Sequence, residues 1–282
     1  MTLQNIIQCK ELAIKFPQSI QECQELALGF KSISYKNAIN CCVSVVDGYL
    51  LEITTPKKNE VGNVRSYYSG HYKCYGVNIQ AACDHQCRFT YIAVAGPGVM
   101  GDREALHECS LYDLIENLPL GFVVISDNAY KPTEHNCPIY GRADRLIPKY
   151  DNFSYYASQC RIQIEMAFGI IVKKWGILSR PLNAPTHKIK FIVLAIARLN
   201  NFLINERLCQ QKTGNSVFLD GKEDAFINAL DLENRALRDE AAHIENVVNM
   251  SDFIPQWSIQ REILVERIAK LGLERPKKKD TN

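Results

Sequence analysis

The apolar and polar residues alternate first in a helical and then in a strand-like pattern. Residues 1–33 carry apolar positions at helical spacing, with a break at Pro17 that predicts two short helices. From Cys41 to Val46 the residues are mostly apolar and β-branched, and the stretch from Tyr49 to Thr54 again favours a strand. Asp47 therefore directly follows a predicted strand.

The next part of the chain predicts strands at 72–83 and 88–95, with a turn between them. A helical pattern begins near Asp102, where an acidic residue suits a first turn. Residues 122–125 are a short apolar run that predicts a buried strand, and Asp127 follows soon after it. Two predicted strands thus end close to an aspartate.

The second half of the chain is predicted to be mainly helical. Residues 132–152 are rich in Pro, Gly, Asn and Asp and predict a long irregular loop, which in a compact domain is more often functional than accidental. Apolar residues recur at helical spacing over 154–175 and again over 187–208. A polar hinge at 212–221 precedes charged, helical sequence that reaches Leu273.

The composition is that of an ordinary globular protein. The 282 residues are 46% hydrophobic and 23% charged, which is enough for one large domain or a domain with an extension. The formal net charge of +2 excludes a strongly basic protein, so any contact with DNA must come from a local patch. No membrane span or secretory signal is predicted, and the 11 cysteines are expected to be free thiols of a soluble intracellular protein.

Three carboxylates could share one metal-dependent site. Mg²⁺ and Mn²⁺ are hard ions that prefer oxygen ligands, and a pair of such ions can assist both sides of phosphodiester cleavage. Asp47 and Asp127 follow predicted strands, and Glu165 lies in the middle of a predicted helix. If the two strands are adjacent and parallel, their carboxyl ends bring the aspartates together, and a helix across the sheet can bring Glu165 to them.

Five short motifs follow one another in a specific order. They are Val45-Val46-Asp47-Gly48, Tyr75 to Asp84, Pro97-Gly98 with Asp102, Ser126 to Tyr130, and Arg161 to Gly169. Each motif alone is weak, but their order and spacing over residues 40–210 are more specific. In this respect the sequence resembles the PIF/Harbinger-type DDE endonucleases, which derive from transposases.

The resemblance implies a fold and a mechanism. The fold would be α/β and RNase H-like, a mixed sheet flanked by helices with helical N- and C-terminal extensions. Asp47, Asp127 and Glu165 would be the catalytic and metal-binding residues. Asp47 would bridge two Mg²⁺ or Mn²⁺ ions, Asp127 would hold one ion and Glu165 would complete the other. The expected activity is cleavage of DNA, followed by transfer of the freed 3′ end to target DNA.

The resemblance also implies a division of the chain and a set of partners. A helical lead-in segment would span 1–40, the endonuclease domain 41–210, and a helical extension with a basic tail 211–282. The lead-in of about 40 residues is too short for the helix-turn-helix segment of relatives together with its usual connection, so a separate Myb-like protein is expected to assist DNA binding. Strand transfer acts on paired ends, which implies a homodimer. The expected location is the nucleus, without membrane association.

The same residues allow other interpretations. Glu165 lies four residues after Arg161, so the two could form an ion pair on a solvated helix face. Arg161, Lys173 and Lys174 are candidate DNA-binding residues, but the two lysines could equally belong to a solvated basic face. The whole chain could be an inactive, domesticated or truncated relative that binds DNA or protein without cleaving it.

Several motif residues lie outside the proposed triad. For Asp84 and Asp102 we predict turn and helix-capping roles, with support of the metal ligands as the alternative. The basic run 277–279 is either a nuclear import signal or a solvated tail. A zinc site is disfavoured because the spacing of its possible ligands suits buried or free thiols better. Those possible ligands are Cys74, Cys83, His85 and Cys87.

Overall fold

A computed structural model describes residues 2–213 and 259–276. Its centre is a six-stranded sheet. In chain order the strands are β1 (Cys42–Glu52), β2 (Tyr68–Ser69), β3 (Cys74–Cys83), β4 (Phe89–Pro97), β5 (Val123–Ser126) and β6 (Asn136–Pro138). They are arranged as β2-β3-β1-β5-β6, with β4 paired to β3.

The sheet is mixed, because its two halves are connected differently. Strands β1, β3 and β4 pair antiparallel, whereas β5 and β6 run parallel to β1. The prediction of separate strands on either side of Asp47 was wrong. Pairing with β3 continues without a break from Val45 to Glu52, so β1 is one strand of 11 residues.

Helices cover the sheet on both sides. They are α1 (Leu3–Gln8), α2 (Ile20–Ile33), α3 (Asp102–His107), α4 (Leu111–Glu116), α5 (Pro148–Lys174), α6 (Thr186–Thr213) and α7 (Ile259–Lys270). Ser19 and Glu22 form a reciprocal capping box that begins α2 just after the predicted break. Among the described helices, none has the length and apolar character that a membrane crossing requires.

The predicted loop over 132–152 is only partly a loop. Strand β6 lies within this stretch and pairs in parallel with β5. Just before β6, the main-chain oxygen of His135 accepts a hydrogen bond of 2.8 Å from Val124 N. The following helix α5 begins at Pro148, a residue that suits a first helical turn. Neither feature has a local hydrophobic pattern strong enough to reveal it in the sequence.

Two hydrophobic clusters lie on opposite faces of the sheet. Successive residues of a strand point to opposite faces, so Val45 packs with α5, α6 and α7 whereas Val46 packs with α2, α3 and α4. Residues Ile125 and Val124 of β5 divide in the same way. The structure is therefore a mixed sheet flanked by helices, as expected, and is compatible with the RNase H-like fold.

Helix α7 packs against α5, although 45 residues outside the described ranges separate it from α6. Its Leu264, Val265 and Ile268 are buried in the same cluster as the inner face of α5. Arg267 donates to the main-chain oxygens of Asn37 and Ala38 at 3.0 Å each. Part of the predicted extension thus contributes to the core. Residues 214–258 and the basic run at 277–279 lie outside the described residues.

Candidate active site at the carboxyl ends of two parallel strands

The parallel pairing of β1 and β5 brings the two predicted aspartates together. Val46 is opposite Ser126 in the register, and Asp47 and Asp127 are the next residues on each chain segment. Strand β5 ends there, whereas β1 continues along β3. The expected adjacent, parallel arrangement is present, and it leaves the β5 side of Asp47 without a strand.

Asp47 is held in a mostly buried position. Its side chain is 18% exposed, and its Oδ1 accepts a hydrogen bond of 2.9 Å from Gly48 N. Burial raises the pKa of Asp47 to about 6, against the opposing effect of Arg161 and of that hydrogen bond. The negative charges of Asp127 and Asp102 raise this pKa further. Burial is therefore the main reason for the raised pKa, while the surrounding charges act in opposite directions.

Helix α5 brings Glu165 to this site indirectly. Buried residues at helical spacing, among them Cys160 and Ile164, fix the inner face of the helix on the sheet. Tyr49 and Phe168 stack with their ring centres 5.0 Å apart and so hold α5 to β1 just beyond Asp47. Glu165 lies on the same helix, and its side chain is 51% exposed.

Arg161 links the two carboxylates. Its Nη1 lies 2.7 Å from Asp47 Oδ2, and its Nη2 lies 2.5 Å from Glu165 Oε1. Its Nε is buried without a hydrogen-bond partner. The i,i+4 ion pair considered as the alternative for Glu165 is thus present, but it is not confined to the helix surface. The same guanidinium also reaches the strand that carries Asp47.

Asp127 has a polar neighbour but no cationic partner among the described residues. The amide nitrogen of Asn128, when turned toward this carboxylate, lies 3.1 and 3.2 Å from its two oxygens. The main-chain oxygen of Asp127 accepts a hydrogen bond from Tyr130 N and closes a tight turn. Within the described residues, no Lys, Arg or His forms an ion pair with Asp127 or with Asp102.

Asp102 belongs to a buried polar network that sequence reasoning missed. Its Oδ1 accepts hydrogen bonds from Asn78 Nδ2 at 3.0 Å and from Gln80 Nε2 at 3.4 Å. Tyr130 in turn donates to Gln80 Oε1 at 2.8 Å. The predicted capping role was wrong, because Gly101 is the N-cap and Asp102 is the first residue of α3. Polar residues within the apolar strand β3 were the available signal.

Asp84 has the turn role predicted for it. Its Oδ1 accepts hydrogen bonds from the main-chain nitrogens of Gln86 and Arg88, both at 2.9 Å. Its Oδ2 lies 2.6 Å from Arg88 Nε. This buried ion pair closes the turn between β3 and β4. Asp84 thus differs from Asp102, whose contacts are all to uncharged groups.

The donor set suits a hard divalent cation, although the side chains do not yet converge on one point. Within residues 2–213 and 259–276, no three His, Cys, Asp or Glu side chains are close enough together to hold a metal ion. The Arg161 guanidinium lies between Asp47 and Glu165 and stands in for a cation there. Carboxylates are the ligands that Mg²⁺ and Mn²⁺ prefer. The residue types therefore suit such an ion, whereas their present positions do not bring three of them to one point.

The other candidate residues lie apart from the aspartates. Lys173 and Lys174 are exposed in the last turn of α5, about 18 Å along the helix from Arg161 at 1.5 Å per residue.

All 11 cysteines are free thiols, as expected. Burial raises the pKa of Cys83 and of Cys87 well above the ordinary value, so these thiols stay protonated in the absence of a metal.

A family comparison covers the same elements. Residues 46–201, which are 156 of the 282 residues, match the model of a family described as DDE superfamily endonuclease. The match includes Asp47, Asp127 and Glu165. Comparison with curated proteins and with solved structures finds no significant match. Because the matched segment exceeds half of the chain, and the mixed sheet flanked by helices agrees with it, the chain belongs to the DDE superfamily endonucleases.

Proposed function

We propose that this chain is the catalytic domain of a Harbinger-type transposase, which cleaves DNA phosphodiester bonds at Asp47, Asp127 and Glu165. One observation carries the proposal: Asp47 and Asp127 are adjacent where the parallel pairing of β1 and β5 ends, and Arg161 joins Asp47 to Glu165. The fold thus places three carboxylates on neighbouring elements, although the first and the last are 118 positions apart in the sequence, 165 minus 47.

The three carboxylates would hold two Mg²⁺ or Mn²⁺ ions. Such ions, when bound, activate the attacking hydroxyl and stabilise the departing oxygen. Asp47 contributes a rigid anchor, because the Gly48 amide and the surrounding strand fix its orientation. Glu165 is half exposed and can adjust. Arg161 must release Asp47 or Glu165 before one ion can contact both, and the released guanidinium would then be available for a DNA phosphate.

The partners follow from the same proposal. DNA would be the substrate, with Arg161 near the cleaved bond and Lys173 and Lys174 neutralising phosphates farther along the strand. The formal net charge of only +2 supports assistance by a separate Myb-like DNA-binding protein. A homodimer in the nucleus would provide two active sites for two element ends. Cross-linking and gel filtration with end-containing DNA would detect that dimer.

The decisive experiment is cleavage of supercoiled plasmid with Mn²⁺, with Mg²⁺ and with EDTA. We expect metal-dependent nicking by the unmodified protein and a loss of about 100-fold or more in Asp127→Asn. The matched control is Asp113→Asn, which removes an exposed aspartate from α4 and should leave nicking unchanged. Equal nicking by Asp127→Asn and the unmodified protein would exclude this site.

One observation favours the alternative of an inactive binding module. Arg161 already occupies the space between Asp47 and Glu165, and a protein that never binds metal could keep that ion pair permanently. Folded protein that binds DNA equally in EDTA and Mn²⁺, and does not nick it even with a Myb-like partner and element ends, would support this alternative.

A further inference from the structure

A cavity of about 190 Å³ lies next to the turn that follows Asp127. Its walls come from α3, from α4 and from residues 130–133, which come after β5. The main-chain nitrogen of Tyr130 donates to the main-chain oxygen of Asp127 at 3.2 Å. A single tight turn therefore connects Asp127 to the wall of this cavity.

The wall of the cavity is partly apolar and partly aromatic. Leu106 and Ile115 line it and belong to the hydrophobic cluster on this face of the sheet. His107 and Tyr112 also line it, with their ring centres 4.2 Å apart and their planes tilted by 45°. Nucleobases stack on such aromatic side chains, largely without regard to sequence. Pockets for drug-sized ligands measure roughly 300–1,000 Å³, so this smaller cavity suits a single ring system.

Two exposed cations complete the lining. Arg103 Nε donates to Ala129 O at 3.3 Å, which ties the guanidinium to the segment after Asp127. Within the described ranges, neither Arg103 nor Lys131 forms an ion pair with a carboxylate. Glu116 adds one negative charge, and its Oε1 accepts a hydrogen bond of 2.5 Å from the Thr133 hydroxyl. The two cations outweigh that charge and are suited to phosphate groups.

We propose that this cavity binds one unpaired base of the DNA beside the bond to be cut. The base would stack on Tyr112 and His107, and Arg103 and Lys131 would contact the neighbouring phosphates. The inference rests on the proposed function, since it requires DNA at Asp127. Taking a base out of a duplex costs free energy, and the cost is least for a base that is already unpaired. The protein should therefore prefer DNA that contains such a base.

A site for phosphate alone is the competing explanation. Arg103 and Lys131 would suit a phosphate whether or not a base enters the cavity. Such a site would not use the rings of His107 and Tyr112, and it would bind paired and unpaired DNA equally. The preference for an unpaired base is thus the quantity that separates the two explanations.

The test is fluorescence anisotropy of the full chain with two labelled DNA duplexes, in EDTA so that metal binding plays no part. One duplex is fully paired, and the other has the same sequence with one additional unpaired adenine. The unmodified protein should bind the second duplex about tenfold more tightly. Tyr112→Leu keeps the wall apolar but removes the ring, and should reduce this ratio to about twofold or less. The matched control is Tyr72→Leu, an exposed tyrosine between β2 and β3, which should keep the ratio.

The outcomes separate this inference from the proposed function. Equal binding of the two duplexes, or no binding of either, by the folded unmodified protein overturns the inference. A preference that persists in Tyr112→Leu as it does in Tyr72→Leu also overturns it. In each of these cases, plasmid nicking that depends on Asp127 would leave the proposed function intact. A preference that is lost only in Tyr112→Leu supports the inference, even in protein that does not nick plasmid.

Circular dichroism and the urea midpoint show whether each variant is folded. Should Tyr112→Leu fail to fold, His107→Leu replaces it, because His107 is the exposed member of the same aromatic pair. That variant should likewise reduce the preference for the unpaired base, and an unchanged preference would overturn the inference.

Discussion

Asp47 has two unlike neighbourhoods. On the side of α5, the Arg161 guanidinium binds both Asp47 and Glu165, so the negative charge of the two carboxylates is partly balanced within the protein. On the side of β5 and α3, Asp127 and Asp102 add negative charge, and no described Lys, Arg or His pairs with either. The comparison shows that the carboxylates next to α5 share a cationic partner, whereas Asp127 and Asp102 have no such partner among the described residues.

Burial has the largest effect on the pKa of Asp47, and Arg161 has the next largest. Arg161 lowers the pKa of Asp47, yet burial and the neighbouring carboxylates outweigh it and the value remains near 6. A partly buried carboxylate with this pKa is poised to exchange a proton for a metal ion. The repulsion by either Asp127 or Asp102 has a smaller effect on this pKa than the attraction of Arg161.

The largest expected effect is the loss of stability when Arg161, which pairs with Asp47 and Glu165, is replaced. Arg161→Gln leaves Asp47 buried without its cation and should lower the free energy of unfolding by about 1–3 kcal/mol in EDTA. Mn²⁺ should restore more stability to this variant than to the unmodified protein, because the ion replaces the lost charge. Urea unfolding with and without Mn²⁺ measures both effects. The matched control is the exposed Arg142→Gln, and an equal loss in that variant would contradict the special role of Arg161.

A second prediction concerns the pH dependence of Mn²⁺ binding at Asp47. The pKa of Asp47 is raised to about 6, so protons compete with the metal as the pH falls through that value. Mn²⁺ affinity should be about tenfold lower at pH 5 than at pH 7. Arg161 lowers this pKa, so Arg161→Gln should move the midpoint to higher pH. An affinity that stays constant down to pH 5 would show that Asp47 is not a ligand.

The smallest expected effect on stability is that of replacing Glu165, the more exposed partner of Arg161. Glu165 is half exposed and pairs with a residue one helical turn away, so Glu165→Gln should change the free energy of unfolding by about 0.5 kcal/mol or less. Urea unfolding beside Glu206→Gln, an exposed residue of α6, provides the comparison. A loss as large as that of Arg161→Gln would mean that Glu165 is a structural anchor rather than a side chain free to bind metal.

The sequence revealed much of the site because its parts are local patterns. The apolar strands before Asp47 and Asp127 and the periodic helix around Glu165 depend on short-range alternation, which the chain shows directly. Strand boundaries were less predictable. The β1 strand passes through Asp47 because β3 supplies partners on both sides of it, and the sequence near Asp47 contains no trace of that pairing.

The sequence by itself determined that Asp127 follows a strand, where the long helices lie and which family the motifs resemble. Only the tertiary structure decided that Arg161 connects Asp47 to Glu165 and that Asp102 lies over Gly48. Each of these contacts joins residues more than 50 positions apart, except the local Arg161–Glu165 pair. Such contacts depend on how the packed faces of the sheet and its helices position whole elements, and no local pattern of hydrophobic residues encodes that geometry.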